Sequence, residues 1–170
     1  MSEENKEKAR RLLEEAFNEG NFGVVDEIVS SEYVLHDPAL PEEIRGPEGV
    51  KGFVQMYRSA FPDTHITVED QIAEGDDVVT RWTGRGTHQG ELLGVPPSGN
   101  RVEISGITLD RFSGGKFAES WTSYDALGML QQIGAIPEPG QEEEARAAEG
   151  EQQRDEKGLM DKAKDKLMGQ

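Results

Sequence analysis

The chain has 170 residues, the length of one ordinary domain. Its 34 acidic and 18 basic side chains leave a formal net charge of -16. That balance argues against nucleic acid and anionic membrane surfaces as partners. There is no cysteine, which excludes disulfides, thiolate nucleophiles and cysteine metal centres. No apolar run approaches the roughly 18 residues a membrane span needs. The first residues, MSEENKEKARR, move from charge directly into a helical pattern without a signal peptide's apolar stretch. The expectation is a soluble, cytoplasmic protein.

Residues 4–19 read as an amphipathic helix, with Ala9, Leu12, Leu13, Ala16 and Phe17 at i, i+3, i+4 spacing and Gly20 as the stop. A short second helix turns Phe22, Val25, Ile28 and Val29 inward. An extended piece follows, Tyr33 to Pro38, then a loop over 38–46. Pro47 opens a third helix whose buried stripe is Val50, Phe53, Val54 and Tyr57. From Thr64 the period changes to two, giving strands around 66–72, 78–88, 101–112 and 117–124. Glu74–Asp77 and Ser113–Lys116 are hairpin turns. Pro96-Pro97-Ser98-Gly99-Asn100 closes the loop between the second and third of these strands, and Ala126–Ile133 is a last short helix. Glycines 84, 86 and 106 fall inside strands, where they permit bends or close backbone approach. Helices followed by an antiparallel meander predict an α+β fold, with helices on one face of a curved sheet and a cavity between them.

Composition shifts after Pro137. All 11 aromatic residues precede it, so the chain is read as a folded domain over 1–137 and an acidic tail over 138–170. The tail is too polar to bury a core and reads as disordered or transiently helical. Leu159, Met160, Ala163 and Leu167 stand in it at helical spacing.

The same residues carry a resemblance. His36-Asp37-Pro38, Phe61-Pro62-Asp63, Gly86-Thr87-His88-Gln89-Gly90, and Gly94 to Gly99 are part of it. So are Gly115-Lys116-Phe117-Ala118-Glu119-Ser120-Trp121, then Asp125, then Leu127 to Gly134. Over roughly residues 5–136 the chain resembles the SnoaL-like polyketide cyclases, or ester cyclases, of the nuclear transport factor 2-like superfamily. The resemblance implies a cone-shaped α+β barrel and intramolecular aldol chemistry without metal or cofactor. It also implies dimerisation through the open sheet face, and an aspartate after the last strand's tryptophan as general acid/base. By position that aspartate is Asp125.

Strict alternation puts Phe117, Glu119, Trp121, Ser123 and Asp125 on one face. A carboxylate beside Trp121 in an apolar cavity has its charged form disfavoured, which suits a general base. Asp125 also immediately precedes a helix, where it would serve as N-cap. His88, before a glycine-containing loop, is a candidate donor to a developing enolate oxygen, or else a strand-end histidine bonded to backbone. His36 is a candidate acid/base at the pocket rim, while Asp37 beside it suits a turn ahead of Pro38. Trp121, Trp82, Tyr57, Phe53, Glu119 and Arg111 complete the expected pocket, and Tyr124 is expected to face away from it. The histidines at 36, 65 and 88 lack metal-ligand spacing, so no metal is expected. No glycine-rich segment opens a helix, so no nucleotide cofactor is expected either.

The function expected is a cofactor-free acid/base enzyme acting on a small apolar carbonyl or ester compound. The alternatives are an isomerase or epoxide hydrolase of the same fold, and a non-catalytic binding or interaction module. A cavity without Asp125 in it would favour the last. Deletion of residues 138–170 is expected to leave the melting temperature nearly unchanged; calorimetry of the truncated chain reads this directly, and a fall of more than a few degrees would refute it.

Overall fold

The computed structural model describes residues 2–137 and 140–168. The chain divides into two units, residues 1–135 and 136–170. In the first, helix α1 (Ser2–Arg11) runs on into a π-helical stretch, Leu12–Glu19. Gly20 ends it in the left-handed conformation, φ 73°. Arg58 donates to the carbonyls of Phe17 and Asn18 at this terminus, where a cation suits the helix dipole. Its guanidinium lies where a Cβ on residue 20 would stand, 2.9 Å away. Asn18 then borrows the role of a strand, accepting from the Ile66 amide at 2.6 Å and donating to the Ile66 carbonyl at 2.9 Å.

Helix α2 (Gly23–Ile28) ends when Val29 turns extended, φ -97° and ψ 133°. The helical period assigns Val29 to this helix. In the structure it instead begins strand β1 (Val29–His36), where its β-branched side chain suits a buried pleat. A short β2 (Ile44–Arg45) leads into α3 (Gly46–Ala60), which has Pro47 in its first turn. The meander is β3 (His65–Glu74), β4 (Asp77–Thr87), β5 (Arg101–Ser113) and β6 (Lys116–Tyr124), followed by α4 (Ala126–Gln132).

All six strands form one sheet in the order β2-β1-β6-β5-β4-β3. The meander is antiparallel as expected, but β1 joins β6 in parallel, so the sheet is mixed. That pairing carries the early segment Tyr33 to Asp37 alongside the last strand, which no local pattern foretells.

One irregularity governs which residues face inward. The β5–β6 register passes from Arg111↔Glu119 to Phe112↔Phe117, leaving Ala118 as an extra residue on β6. Such a bulge reverses the side-chain alternation beyond it. Phe117 is therefore followed on the inner face by Ser120, Thr122 and Tyr124, opposite Asp110, Thr108 and Gly106.

Two apolar clusters hold the helices on the sheet. One joins Ala16, Val25, Ile28 and Val54 of the helices to Val78, Phe112 and Phe117 of the strands. The other joins Ala60 and Phe61 to Leu92, Val102, Met129 and Ile133. The glycines inside strands make room for aromatic rings: a Cβ on Gly106 would stand 2.4 Å from Trp82, and one on Gly86 2.9 Å from Phe61.

In the second unit, Gln141–Met168 forms one helix, α5. Its alanine, glutamate, lysine, arginine and glutamine residues all favour helix. From Gly150 to Met168 every residue is exposed, Leu159, Met160 and Leu167 included. Residues 138, 139, 169 and 170 of the expected acidic tail lie outside the described residues.

Replacing Gly106 with alanine is expected to displace Trp82 and cost about 1–3 kcal/mol, the usual range for an overpacked interior. A thermal melt should show a fall of several degrees; an unchanged midpoint would mean that the ring moves aside freely.

Candidate active site

Between helices and sheet lies a cavity of about 140 Å³. Leu12, Leu13 and Phe17 of the π-helical stretch, Phe53 and Tyr57 of α3, and Trp82 of β4 supply much of its apolar wall. Few polar groups reach it, and they fall into three levels along the strands.

At one end Asp37, Tyr57 and Tyr124 come together. Along β1 the inward side chains are Tyr33 and Leu35, and Asp37 continues that alternation into the cavity. Asp37 is 6 % exposed. One carboxylate oxygen, Oδ1, accepts from the Ala39 amide at 2.9 Å, closing the turn expected ahead of Pro38. The other, Oδ2, is buried with no hydrogen-bond partner. Burial raises the pKa of this carboxyl above its ordinary value, and the Ala39 amide opposes the rise only in part. The hydroxyls of Tyr57 and Tyr124 lie 3.1 Å apart. One phenol donates to the other, which leaves one O–H free to donate elsewhere. Burial pushes both pKa values up, with the charge of Asp37 adding to the effect, so both remain protonated at neutral pH.

At the middle level the Trp82 indole N–H donates to Thr108 Oγ1 at 3.1 Å, and Thr108 and Thr122 share a hydrogen bond of 3.1 Å. At the third level Asp110 is 6 % exposed and accepts from the Ser120 hydroxyl at 2.6 Å. Burial pushes its pKa up to about 7, the Ser120 bond opposing.

Several predicted site residues lie elsewhere. Asp125 is exposed and absent from the cavity lining; its Oδ1 accepts from the Gly128 amide at 2.8 Å as the N-cap of α4. The bulge at Ala118 turns Glu119, Trp121 and Ser123 to the opposite face and brings the inward role to Tyr124, which was expected to face away. On that outer face Trp121 stacks on His36, centroids 5.3 Å apart, and Arg111 lies 5.1 Å from the indole. His36 bonds Glu119 at 2.8 Å and approaches Glu43 at 3.1 Å. Arg111 is engaged with Asp77 at 3.0 Å. His36, Glu119, Trp121 and Arg111 thus form a cluster outside the cavity. Phe53, Tyr57 and Trp82 line the cavity as expected.

His88 is fully buried behind Phe61, whose ring lies 5.6 Å away and does line the cavity. The Ser98 amide donates to His88 Nδ1 at 3.1 Å, so the ring proton belongs on Nε2. The Gln89 and Gly90 amides both donate to the Ala60 carbonyl. His88 thereby ties the loop between β4 and β5 to itself and does not reach the cavity. Among the described residues no three histidine or carboxylate side chains gather as metal ligands.

Sequence reasoning missed Asp110 and gave Asp37 little weight. The signal for Asp110 was present: it shares a strand parity with Val102, Ile104 and Phe112, an apolar face on which a carboxylate is out of place.

A family model described as SnoaL-like polyketide cyclase matches residues 7–133. The aklanonic acid methyl ester cyclase DnrD of Streptomyces peucetius is 32% identical over 127 residues, covering 73% of this chain and 87% of that protein. The nogalonic acid methyl ester cyclase of Streptomyces nogalater is 31% identical over 121 residues, covering 70% and 90%. A solved structure of a protein with a ketosteroid isomerase-like fold from Catenulispora acidiphila, in complex with trimethylamine, superposes with a TM-score of 0.64. It is 18% identical, covers 75% of this chain and 92% of that one, and bears on the fold alone.

Burial pushes the Asp110 carboxyl from its ordinary 3.8 up to about 7 in the folded protein. A raised folded-state pKa contributes stability that is full below the unfolded value and lost as pH rises through the folded one. Asp110→Asn keeps an acceptor for Ser120 and removes that loss. Its stability advantage over the parent chain should be roughly 3 kcal/mol larger at pH 8 than at pH 5, read from urea unfolding at each pH. Equal advantages at both would show that the carboxyl is already ionised at pH 5.

Proposed function

Because the chain belongs to the SnoaL-like polyketide cyclase family, we propose that it is a cofactor-free acid/base enzyme whose general base is Asp37. Its substrate would be a small apolar carbonyl or ester compound held in the cavity. The observation that carries the assignment is Asp37, a carboxyl that lines the apolar cavity and whose Oδ2 is buried with no hydrogen-bond partner. An unpaired buried acceptor is costly, and an acidic C–H delivered by a substrate would satisfy it.

The steps follow from the polar groups at that level. A substrate carbonyl accepts the free O–H of the Tyr57–Tyr124 pair. Asp37 takes a proton from the adjacent carbon, and the developing enolate is stabilised by the phenol hydrogen bond. The enolate carbon then bonds to a second carbonyl carbon of the same molecule, whose C=O π bond opens to an alkoxide. The proton on Asp37 returns to that alkoxide, so the carboxylate is regenerated and no atoms are lost. The curated relatives act on aklanonic and nogalonic acid methyl esters, two substrates that share carbonyl chemistry.

Deuterium exchange at C1 of 2-tetralone in D2O, followed by NMR, tests the proton-transfer half of this scheme. The rate should rise with pH through the raised pKa of Asp37, since the carboxylate is the active form. Asp37→Asn should bind the ketone and lose about 100-fold or more in exchange. Asp125→Asn should exchange like the parent chain. The reverse result for the two variants would return the base to position 125. Binding without exchange by the parent chain would support the non-catalytic reading, which the placement of Asp125 outside the cavity favours.

A further inference from the structure

Asp110 has no part in that scheme, yet it faces the same cavity. β5 pairs Asp110 with Ser120 and β1 pairs Leu35 with the same Ser120, so Asp37 lies two residues farther along and two strands across the sheet. At ~3.3 Å per residue along a strand and ~4.8 Å between neighbouring strands, the two positions are about 12 Å apart. We propose that Asp110 is a second ligand-anchoring group of the cavity, donating a hydrogen bond from its carboxyl to an acceptor oxygen at the far end of the molecule that Asp37 deprotonates. This rests on the cavity being the substrate site, as above, and adds the class of molecule it takes: an elongated apolar ketone with a second oxygen remote from its reacting carbon.

The argument is one of charge and neighbours. Around Asp110 stand Tyr33 of β1, Val78 across from it on β4, Ser120 beside it on β6, and Ala9 and Leu12 of the N-terminal helix, with Thr80 one step farther along β4. Only Tyr33 among them titrates, and burial with the nearby Asp110 charge keeps its phenol protonated. No cation is present to offset a carboxylate at Asp110 among the described residues. A buried carboxyl without a counter-charge is held neutral. Neutral, it has one O–H to donate while an oxygen accepts from Ser120. Within a wall this apolar, that donor selects an acceptor oxygen rather than an anion, which Asp37 and a net charge of -16 would both disfavour.

The experiment compares binding of 2-tetralone with 6-methoxy-2-tetralone, which carries a second acceptor oxygen across the ring system. At pH 6 the methoxy ketone should bind about tenfold more tightly to the parent chain, the value of one hydrogen bond in a dry site. Asp110→Leu should abolish the advantage. Asp110→Asn, whose amide still donates, should keep it and should guard against misreading a variant that folds poorly. Between pH 6 and pH 8 the advantage should fall about tenfold in the parent chain and stay flat in Asp110→Asn. An equal advantage in Asp110→Leu, or none in the parent chain, overturns the proposal. Asp37→Asn should leave the binding ratio untouched, so loss of C1 exchange with the ratio intact sinks only the assignment of the base. Failure of both ketones to bind overturns the two readings together.

Discussion

A single extra residue on β6 decides which side chains the last strand contributes to the interior. Ala118 has no counterpart on β5, and the alternation reverses past it. Without that bulge the inner face would carry Glu119, Trp121 and Ser123, a charge and a large indole in place of Ser120, Thr122 and Tyr124. The cavity would then lose the phenol that pairs with Tyr57 and the hydroxyl that bonds Asp110. Bulges of this kind sharpen twist and re-aim side chains beside functional sites. Here the consequence is a cavity whose polar groups are small hydroxyls and protonated phenols, with carboxyls at the two ends.

The remaining architecture keeps that space open. Gly106 and Gly86 leave room for Trp82 and Phe61 to lie against the sheet, and the π-helical stretch presents Leu12, Leu13 and Phe17 as a wall opposite. The two apolar clusters lie on either side of the polar levels and fix helices to strands. Two electrostatic costs lie where a ligand could relieve them, an unpartnered oxygen on Asp37 and a buried, uncompensated carboxyl on Asp110, while the unpartnered Nε2 of His88 lies away from the cavity.

Much of the fold was legible in the sequence, because it depends on local periodicity. The four meander strands, their two hairpins, helix α3 behind Pro47 and the terminal α4 all lie within a few residues of where the apolar pattern puts them. The site was less legible, and for one reason: its geometry depends on pairings between distant segments. Alternation along β6 misplaced Trp121, Glu119 and Tyr124 because the bulge is a property of two strands together. His36 lies outside the cavity and Asp37 lines it, an arrangement set where β1 pairs with β6 some 85 residues later. His88 looked like chemistry because a strand-end histidine before a glycine loop suits either role; its ring nitrogen is occupied by Ser98. Asp110 was readable from parity alone, as a carboxyl on an apolar stripe.

The chain contains two tryptophans, and the sheet separates them. Trp82 lines the cavity against the threonine pair, whereas Trp121 is sandwiched on the opposite face between an imidazole and a guanidinium. The protein therefore carries two intrinsic fluorophores in unlike surroundings. Emission from the inner indole answers to what fills the interior, while the outer one is sensitive to whatever covers the His36–Arg111 clamp, so variants that keep one indole each read occupancy and surface events separately without any added label.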